Sequence, residues 1–254
     1  MNKYQELSQK FANREKIVGA SMAMINNTLL LEKMAKREDL DFILFDAEHG
    51  VFDAQNVIPA LQVMRLLGLP SIVRAQDSEY HLVAKLVDMG ADGIMIPRTE
   101  TLDQLKVAVG GLLFAPDGRK GMGGVAQTRA GEKFSDFKKT RFLLPQIESP
   151  EGIKNLPKML EEYGEYISAV IVGPYDMSVA VGTPCDIKSP EMLSSIQQVF
   201  DICKKYGKST GIFCDDEERA SVYRKMGANV LWMATDRDYY LRGFNAMLDG
   251  VKEL

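Results

Sequence analysis

The sequence predicts a single domain, residues 1–254, that folds as a (β/α)8 TIM barrel. Eight short apolar runs of strand length alternate along the chain with segments of helical periodicity. This alternation indicates a parallel sheet, and eight units favour its closure into a barrel. The length of 254 residues is common for such a barrel. An open doubly wound sheet is the alternative, but no GxGxxG motif follows the first predicted strand, so its dinucleotide-binding form loses its main support.

A short amphipathic helix, predicted at residues 3–13, precedes the first strand. The predicted strands are residues 17–25, 42–45, 70–73, 93–96, 142–147, 167–172, 209–213 and 229–233. The predicted helices that follow them are residues 29–37, 54–67, 80–89, 102–109, 151–162, 190–206, 217–226 and 239–251. A long loop rich in Gly, Lys and Arg, at about residues 111–140, interrupts this rhythm. Loops of this length in compact domains are usually functional or mobile.

Composition and charge exclude several classes of protein. The net charge of −4 argues against a nucleic-acid binder, which needs a concentrated basic face. No apolar run approaches the roughly 18 residues of a membrane span, and the polar N-terminus has no signal-peptide core. The three cysteines show no CxxC spacing and are expected to be free thiols in a reducing compartment. We therefore expect a cytoplasmic protein without a membrane or nucleic-acid partner.

Two carboxylates stand just beyond the ends of neighbouring predicted strands. Glu148 follows the strand at 142–147, and Asp176 follows the strand at 167–172 and the turn that begins with Gly173. Parallel α/β folds place their chemistry at this end of the strands. Two such acids make an oxygen-rich site that suits Mg²⁺ or Mn²⁺, with Co²⁺ as a third option. The alternative is that they are unrelated acids and that one caps the following helix.

His49 and Arg74 also end predicted strands. His49 follows two acids, precedes Gly50, and is placed to act as a general base near neutral pH; the alternative is a histidine that caps a turn. Arg74 ends an apolar strand and needs an anionic partner. That partner is either a substrate carboxylate or developing oxyanion, or a structural ion pair with Asp46 or Glu48.

Several ordered motifs together resemble the class II, metal-dependent pyruvate aldolases, the family of 4-hydroxy-2-oxoheptanedioate aldolase and the 2-keto-3-deoxy sugar acid aldolases. The resemblance covers about residues 17–250. Its motifs are Phe45-Asp46-Ala47-Glu48-His49-Gly50, Val73-Arg74, Leu86-Val87-Asp88-Met89-Gly90-Ala91, Gln146-Ile147-Glu148-Ser149 and Val172-Gly173-Pro174-Tyr175-Asp176-Met177-Ser178. Five motifs in the family's order are far more specific than any one of them.

The resemblance implies a fold, an assembly and a set of roles. It implies a (β/α)8 barrel that assembles as a homo-oligomer, a hexamer built as a trimer of dimers or something smaller. The implied roles are metal ligation by Glu148 and Asp176, base catalysis by His49, tuning of that base by Asp88, transition-state stabilisation by Arg74, and substrate binding by Gln146, Tyr175 and Asp176. By its residue type alone, Asp88 in the last turn of a predicted helix is unremarkable.

Two positions depart from the family's pattern. Tyr175 stands where the heptanedioate aldolase has an alanine, so the pocket there is expected to differ in shape. Lys120 stands before Gly121 where family members place an arginine, and lysine does not reproduce a bidentate guanidinium. Both departures concern the aldehyde partner more than the metal chemistry.

The leading functional hypothesis is reversible aldol cleavage of a 4-hydroxy-2-oxo acid to pyruvate and an aldehyde. In this scheme a divalent metal stabilises the pyruvate enolate, His49 takes the 4-hydroxyl proton and Arg74 holds the developing negative oxygen. No lysine follows the later predicted strands where a Schiff-base aldolase needs one, which disfavours an imine route. The alternatives are a decarboxylase or acyl-CoA lyase with the same enolate site, or a barrel that binds a keto acid without catalysis.

Overall fold

The computed structural model of the protein describes residues 2–252 and has a closed barrel of eight parallel strands. Each strand pairs with the next in sequence, and β1 pairs with β8 to close the barrel. The strands are β1 (Ile17–Met22), β2 (Phe42–Asp46), β3 (Ser71–Arg74), β4 (Gly93–Ile96), β5 (Phe142–Ile147), β6 (Ala169–Val172), β7 (Ser209–Cys214) and β8 (Val230–Thr235). The predicted fold is confirmed. Met1, Glu253 and Leu254, which the predicted domain includes, lie outside the described residues.

The helices surround the barrel, apart from the first, which precedes it. They are α1 (Lys3–Asn13), α2 (Thr28–Met34), α3 (Ile58–Leu67), α4 (Tyr80–Met89), α5 (Leu102–Leu112), α6 (Pro150–Tyr163), α7 (Pro174–Ala180), α8 (Pro190–Lys205), α9 (Glu217–Met226) and α10 (Asp236–Lys252). Two short 3-10 helices, Phe134–Asp136 and Lys138–Thr140, lie in the long loop before β5.

Side chains alternate between the barrel interior and the layer beneath the helices, as the two-residue repeat of a strand requires. In β2, Phe42 belongs to the interior cluster and Ile43 to the outer cluster. Phe11 of α1 packs against Phe142 at the start of β5, with ring centroids 5.5 Å apart. The amino-terminal end of the barrel is therefore filled by apolar side chains, and the carboxyl end is left for a site.

Helix α3 begins four residues later than its apolar pattern predicts, at Ile58 instead of residue 54. The Asp53 carboxylate accepts hydrogen bonds from the backbone N–H groups of Gln55 and Asn56, at 2.7 and 2.8 Å. These bonds form a local turn that competes with helical hydrogen bonding. The helix therefore starts after the turn.

The long loop is anchored at the amino-terminal end of β4 by buried ion pairs. Arg129 contacts both Asp92 and Glu132. Arg141 donates from Nη1 and Nη2 to the two oxygens of Glu132, at 2.9 and 3.0 Å. Burial raises the pKa of Glu132, but the hydrogen bonds and charge of Arg141 outweigh it and lower that pKa to about 2. The anchor gives this segment a structural function.

Helix α10 follows β8 but leaves most of its surface uncovered. Of its 17 residues, all described, Asp236 is the buried one. Its exposed large apolar residues include Tyr240, Leu241, Phe244, Met247, Leu248 and Val251. Helical spacing places this set on one face. Among the helices of residues 2–252, none combines the length and apolar character needed to cross a bilayer.

Candidate active site

Five of the seven predicted site residues line a cavity of about 280 Å³ at the carboxyl end of the strands. The cavity is lined by residues that include His49, Arg74, Gln146, Tyr175 and Asp176. Larger cavities of about 430, 460 and 650 Å³ are lined by none of the predicted site residues among those described, and one of about 350 Å³ is lined by Asp88 alone of that set. The charged groups therefore single out the smaller cavity, which we call the mouth cavity.

Glu148 lies beside this cavity and is 5% exposed. Its Oε1 accepts a hydrogen bond from the backbone N–H of Arg98 at 2.7 Å, and its Oε2 accepts one from Nε2 of Gln146 at 2.8 Å. Burial raises the pKa of Glu148 to about 7; the Arg98 N–H opposes the shift, and the negative charge of Asp176 adds to it. Glu148 is thus a carboxylate held close to other negative charge.

Asp176 reaches the same region from the first turn of α7, which begins after Gly173. Its side chain lines the mouth cavity, and its charge acts on Glu148. The chain at Gly173 passes so close to Glu148 that a Cβ there would lie 2.0 Å from Oε2. A glycine is therefore required where β6 delivers Asp176 beside the end of β5.

The donor set suits a hard divalent cation. Oε1 of Gln146 is buried and has no hydrogen-bond partner among the described residues. Such an oxygen is costly to bury unless a ligand or water satisfies it. Burial is the main cause of the raised pKa of Glu148, and the negative charges of Asp176 and Glu48 add to it, so three acids lie near one another here. No group of three or more His, Cys, Asp or Glu suited to a metal occurs within residues 2–252, so two carboxylates would be the protein's anionic ligands.

Arg74 is fixed in a buried network at the end of β3. Its Nε and Nη2 donate to the two oxygens of Asp46 at 2.9 and 2.6 Å, and its Nη1 lies 3.3 Å from Oε2 of Glu48. Burial works against the charge of Asp46, but the Arg74 guanidinium outweighs it and lowers the Asp46 pKa. The structural ion pair that the sequence left as an alternative is therefore present, and it holds Arg74 at the cavity wall.

His49 lies in the turn after β2 with its side chain 63% exposed. The Asp46 carboxylate accepts hydrogen bonds from the backbone N–H groups of Glu48 and His49, at 3.1 and 3.2 Å, and so fixes this turn. A Cβ at Gly50 would lie 2.2 Å from the Asp46 carbonyl oxygen, so the turn requires a glycine there. Nε2 of His49 lies 3.7 Å from Oε1 of Glu48.

Asp88 lies apart from the other predicted site residues. It lines a separate cavity, next to the glycine-rich loop, and forms an ion pair with the buried Lys120. Barrel helices run back towards the amino-terminal ends of the strands, so the last turn of α4 faces away from the mouth. The pairing of Asp88 with His49 that the resemblance implies is therefore not made within one chain.

Tyr175 shapes one side of the mouth cavity. Its hydroxyl donates to Oδ1 of Asp215 at 2.8 Å, and its ring centroid lies 6.4 Å from that of Phe213. Burial, followed by the hydrogen bond and charge of Asp215, raises the pKa of the Tyr175 hydroxyl. The tyrosine ring therefore fills space that an alanine would leave open.

Sequence reasoning assigned no role to Arg98, Phe213 and Trp232. Arg98 has a left-handed backbone, with φ of 44°, which points its N–H at Glu148. Phe213 and Trp232 line the cavity from inward positions of β7 and β8. Their inward direction follows from strand alternation once the register is known, whereas the conformation of Arg98 left no signal in the sequence.

Known proteins resemble this chain over most of its length. The sequence model of the family described as HpcH/HpaI aldolase/citrate lyase matches residues 23–242. The 5-keto-4-deoxy-D-glucarate aldolase of Klebsiella pneumoniae is 28% identical over 217 residues, 84% of each chain. The 4-hydroxy-2-oxo-heptane-1,7-dioate aldolase of an Escherichia coli strain is 27% identical over 212 residues, 82% of this chain and 80% of that one.

Solved structures extend the likeness to the whole fold. An HpcH/HpaI aldolase from Desulfitobacterium hafniense superposes with a TM-score of 0.89 at 22% identity, over 98% of this chain and 97% of the other. An HpcH/HpaI aldolase/citrate lyase family protein from Burkholderia cenocepacia gives a TM-score of 0.87 at 26% identity, over 98% and 99%. The family match covers far more than half of the sequence. The chain therefore belongs to the HpcH/HpaI aldolase/citrate lyase family and is a lyase.

Proposed function

We propose that the protein is a divalent-cation-dependent aldolase that reversibly cleaves a 4-hydroxy-2-oxo acid to pyruvate and an aldehyde. The observation that carries the proposal is the meeting of Glu148, Asp176 and the unpartnered Oε1 of Gln146 beside one cavity. The names of two relatives, aldolases for 5-keto-4-deoxy-D-glucarate and 4-hydroxy-2-oxo-heptane-1,7-dioate, support a keto acid substrate.

Glu148 and Asp176 would hold the cation, Mg²⁺ or Mn²⁺ with Co²⁺ as a third option, and Gln146 would contact the substrate beside it. When bound, the cation supplies Lewis acidity at the 2-keto and carboxylate oxygens of the substrate. The carboxylates of Glu148 and Asp176 lie close enough to repel each other when both are charged. A bound cation would relieve that repulsion.

The chain's own groups supply the rest of the reaction. Arg74 directs a guanidinium, held by Asp46, at the oxygen on which negative charge develops. His49 accepts the proton of the 4-hydroxyl, directly or through a water, while C4 becomes the aldehyde carbonyl and the electron pair of the C3–C4 bond passes to the pyruvate enolate. C3 of the enolate then takes a proton from His49 or from water to give pyruvate, and the reverse direction runs through the same steps. Tyr175 forms part of the wall around the substrate.

We further propose that the protein acts as a homo-oligomer, a hexamer made of dimers or a smaller assembly. The uncovered apolar face of α10 supports this, since contiguous apolar surface on a helix marks an interaction site. Because Asp88 and His49 line different cavities of one chain, Asp88 can tune His49 only from a second copy.

The free thiols Cys185, Cys203 and Cys214 support a reducing, cytoplasmic location.

The deciding experiment uses purified protein with pyruvate, a panel of aldehydes, and Mg²⁺ or Mn²⁺. We expect aldol product with metal, no product in EDTA, and recovery when metal is restored. His49→Ala should lower the aldol rate about a hundredfold or more. Lys225, exposed in the last turn of α9, provides the control, because Lys225→Ala should keep the rate. Full turnover in EDTA would contradict the proposal, and so would release of CO₂ from oxaloacetate without any aldol product.

A further inference from the structure

The mouth cavity has two chemically different sides. The charged side is formed by residues from the ends of β2, β3 and β5, which include Asp46, Arg74 and Gln146. The opposite side carries three aromatic residues, Tyr175, Phe213 and Trp232, which we call the aromatic wall.

The aromatic wall is one continuous surface. The Tyr175 and Phe213 ring centroids are 6.4 Å apart, and those of Phe213 and Trp232 are 5.0 Å apart in an edge-to-face arrangement. Trp232 also meets the charged side, since the guanidinium carbon of Arg74 lies 5.3 Å from its ring centroid. A ligand held by Arg74 therefore extends directly along this wall.

The polar atoms of the wall are already hydrogen-bonded within the protein. The Tyr175 hydroxyl donates to Asp215 at 2.8 Å, and the Trp232 indole N–H donates to the Ser21 hydroxyl. Phe213 has no polar side-chain atom. The wall therefore offers a ligand carbon surface and few hydrogen-bonding groups.

The polar residues at the rim on this side are engaged in the same way. Thr235 donates from its hydroxyl to Oδ2 of Asp238 at 2.7 Å. Arg237 donates from Nε and Nη2 to Oδ1 of Asp238 at 3.2 and 3.0 Å. Within residues 2–252, Nη1 of Arg237 has no partner, so a polar group that reaches the rim can pair there, whereas a hydroxyl that lies along the rings below the rim meets mainly carbon.

We propose that the aldehyde half of the substrate is apolar, an aliphatic or aromatic aldehyde, and that the aromatic wall selects it against polyhydroxylated aldehydes. This rests on the proposed function, because the charged side of the cavity is assigned there to the keto acid. A hydroxyl buried against carbon loses its hydrogen bonds to water and gains none, whereas an alkyl or aryl group loses only unfavourable hydration. The aromatic rings also provide the stacking surface that an aryl aldehyde needs.

Binding tests the wall without requiring turnover. 2-Oxohexanoate and 2-keto-D-gluconate share a six-carbon chain and differ in its hydroxyls. Because 2-keto-D-gluconate is largely a cyclic hemiketal in water, its affinity is calculated for the open-chain fraction, which NMR measures. Calorimetric titration of the Mg²⁺-loaded protein should show 2-oxohexanoate bound about tenfold or more tightly. Trp232, the single tryptophan, should report the contact by a change in fluorescence. Equal affinities, or tighter binding of the gluconate, would overturn the proposal.

Variants of Tyr175 locate the preference in the wall. This residue is 42% exposed, so replacement should leave the fold intact, which a melting curve verifies. Tyr175→Asn places an amide on the wall and should lower the affinity ratio by about tenfold, whereas Tyr175→Phe keeps the ring and should keep the ratio. An unchanged ratio in Tyr175→Asn would show that the wall does not select the ligand.

Turnover separates this inference from the proposed function. Exchange of the pyruvate methyl protons in D₂O tests the enolate chemistry without an aldehyde. Addition of pyruvate to pentanal or to glyceraldehyde, which have equal numbers of non-hydrogen atoms, then tests selection. A kcat/KM for pentanal about tenfold above that for glyceraldehyde supports the wall. If exchange occurs but glyceraldehyde is preferred, the proposed selection of apolar aldehydes is wrong and the proposed function stands. If no exchange occurs, the result counts against the proposed function, and the ratio of the two binding affinities still tests the selection.

Discussion

Gly173 and Glu148 are in such close contact that a Cβ at residue 173 would lie 2.0 Å from Oε2 of Glu148 and 2.5 Å from Nε2 of Gln146. The glycine is thus the point at which β6 and β5 approach each other at the mouth. It allows Asp176, three residues later, to act on Glu148. The proposed cation site therefore depends on a residue that would itself contribute no ligand.

Gly173→Ala should displace the Glu148 carboxylate and lower aldolase activity by about a hundredfold, because a shift of about 1 Å can cost that much. Calorimetric titration with Mn²⁺ should show weaker binding. Gly250→Ala is the matched control, since a Cβ there meets nothing within 4 Å. Normal Mn²⁺ affinity in Gly173→Ala would disprove the assignment of the site.

Glu148→Gln should remove a pH dependence of stability in the metal-free protein. Because the folded-state pKa of Glu148 is about 7, above its ordinary value, the folded state keeps a proton that the unfolded state loses. Its stabilising contribution is full below about pH 4.5 and is lost as the pH rises towards 7, by up to about 3 kcal/mol. In EDTA at pH 8 the variant should therefore be the more stable protein.

Urea unfolding at pH 5 and pH 8 measures this difference. The two proteins should have similar free energies of unfolding at pH 5, where Glu148 is still largely protonated in the folded state. Mg²⁺ at pH 8 should stabilise the original chain and not Glu148→Gln. The assignment fails if both proteins respond equally to pH and to Mg²⁺.

Asp46→Asn tests the buried support of Arg74. The change removes the charge that fixes the guanidinium, and we expect a loss of about 3 kcal/mol in stability and a lower kcat. Asp39 provides a matched control, because it makes the same bidentate contact with Arg37, at 2.9 and 2.7 Å, on the exposed surface. Asp39→Asn should change little. If Asp46→Asn and Asp39→Asn changed the free energy of unfolding and kcat by equal amounts, Asp46 would have no special role.

Phe244→Glu should break the proposed assembly through α10. The new charge lies in the exposed apolar face, where burial against a second copy would leave it unpaired. Light scattering after gel filtration should show a smaller species than the original chain forms. Ala246→Glu places the same charge on the opposite side of α10 and should leave the mass unchanged. An unaltered mass in Phe244→Glu would exclude this face as the interface.

The sequence was most informative where burial is local. The bounds of α4, β4, β5 and α9 agree with the predicted residues 80–89, 93–96, 142–147 and 217–226. Apolar periodicity indicates which face of an element is buried, and a terminal glycine indicates where a helix ends. Both signals can be interpreted without knowing which elements are neighbours. The eight-fold rhythm then determined the closed barrel, because parallel strands need crossover helices and eight such units close.

Tertiary structure decided how the distant groups meet. Barrel closure brings Asp176 to the mouth cavity and close enough to Glu148 for their charges to interact, and it turns Asp88 away to Lys120. The exposure of α10 was equally invisible, since its apolar spacing is that of an ordinary packed helix. Periodicity along a chain reports that a face is buried, whereas register, strand tilt and the direction of each loop determine what that face touches.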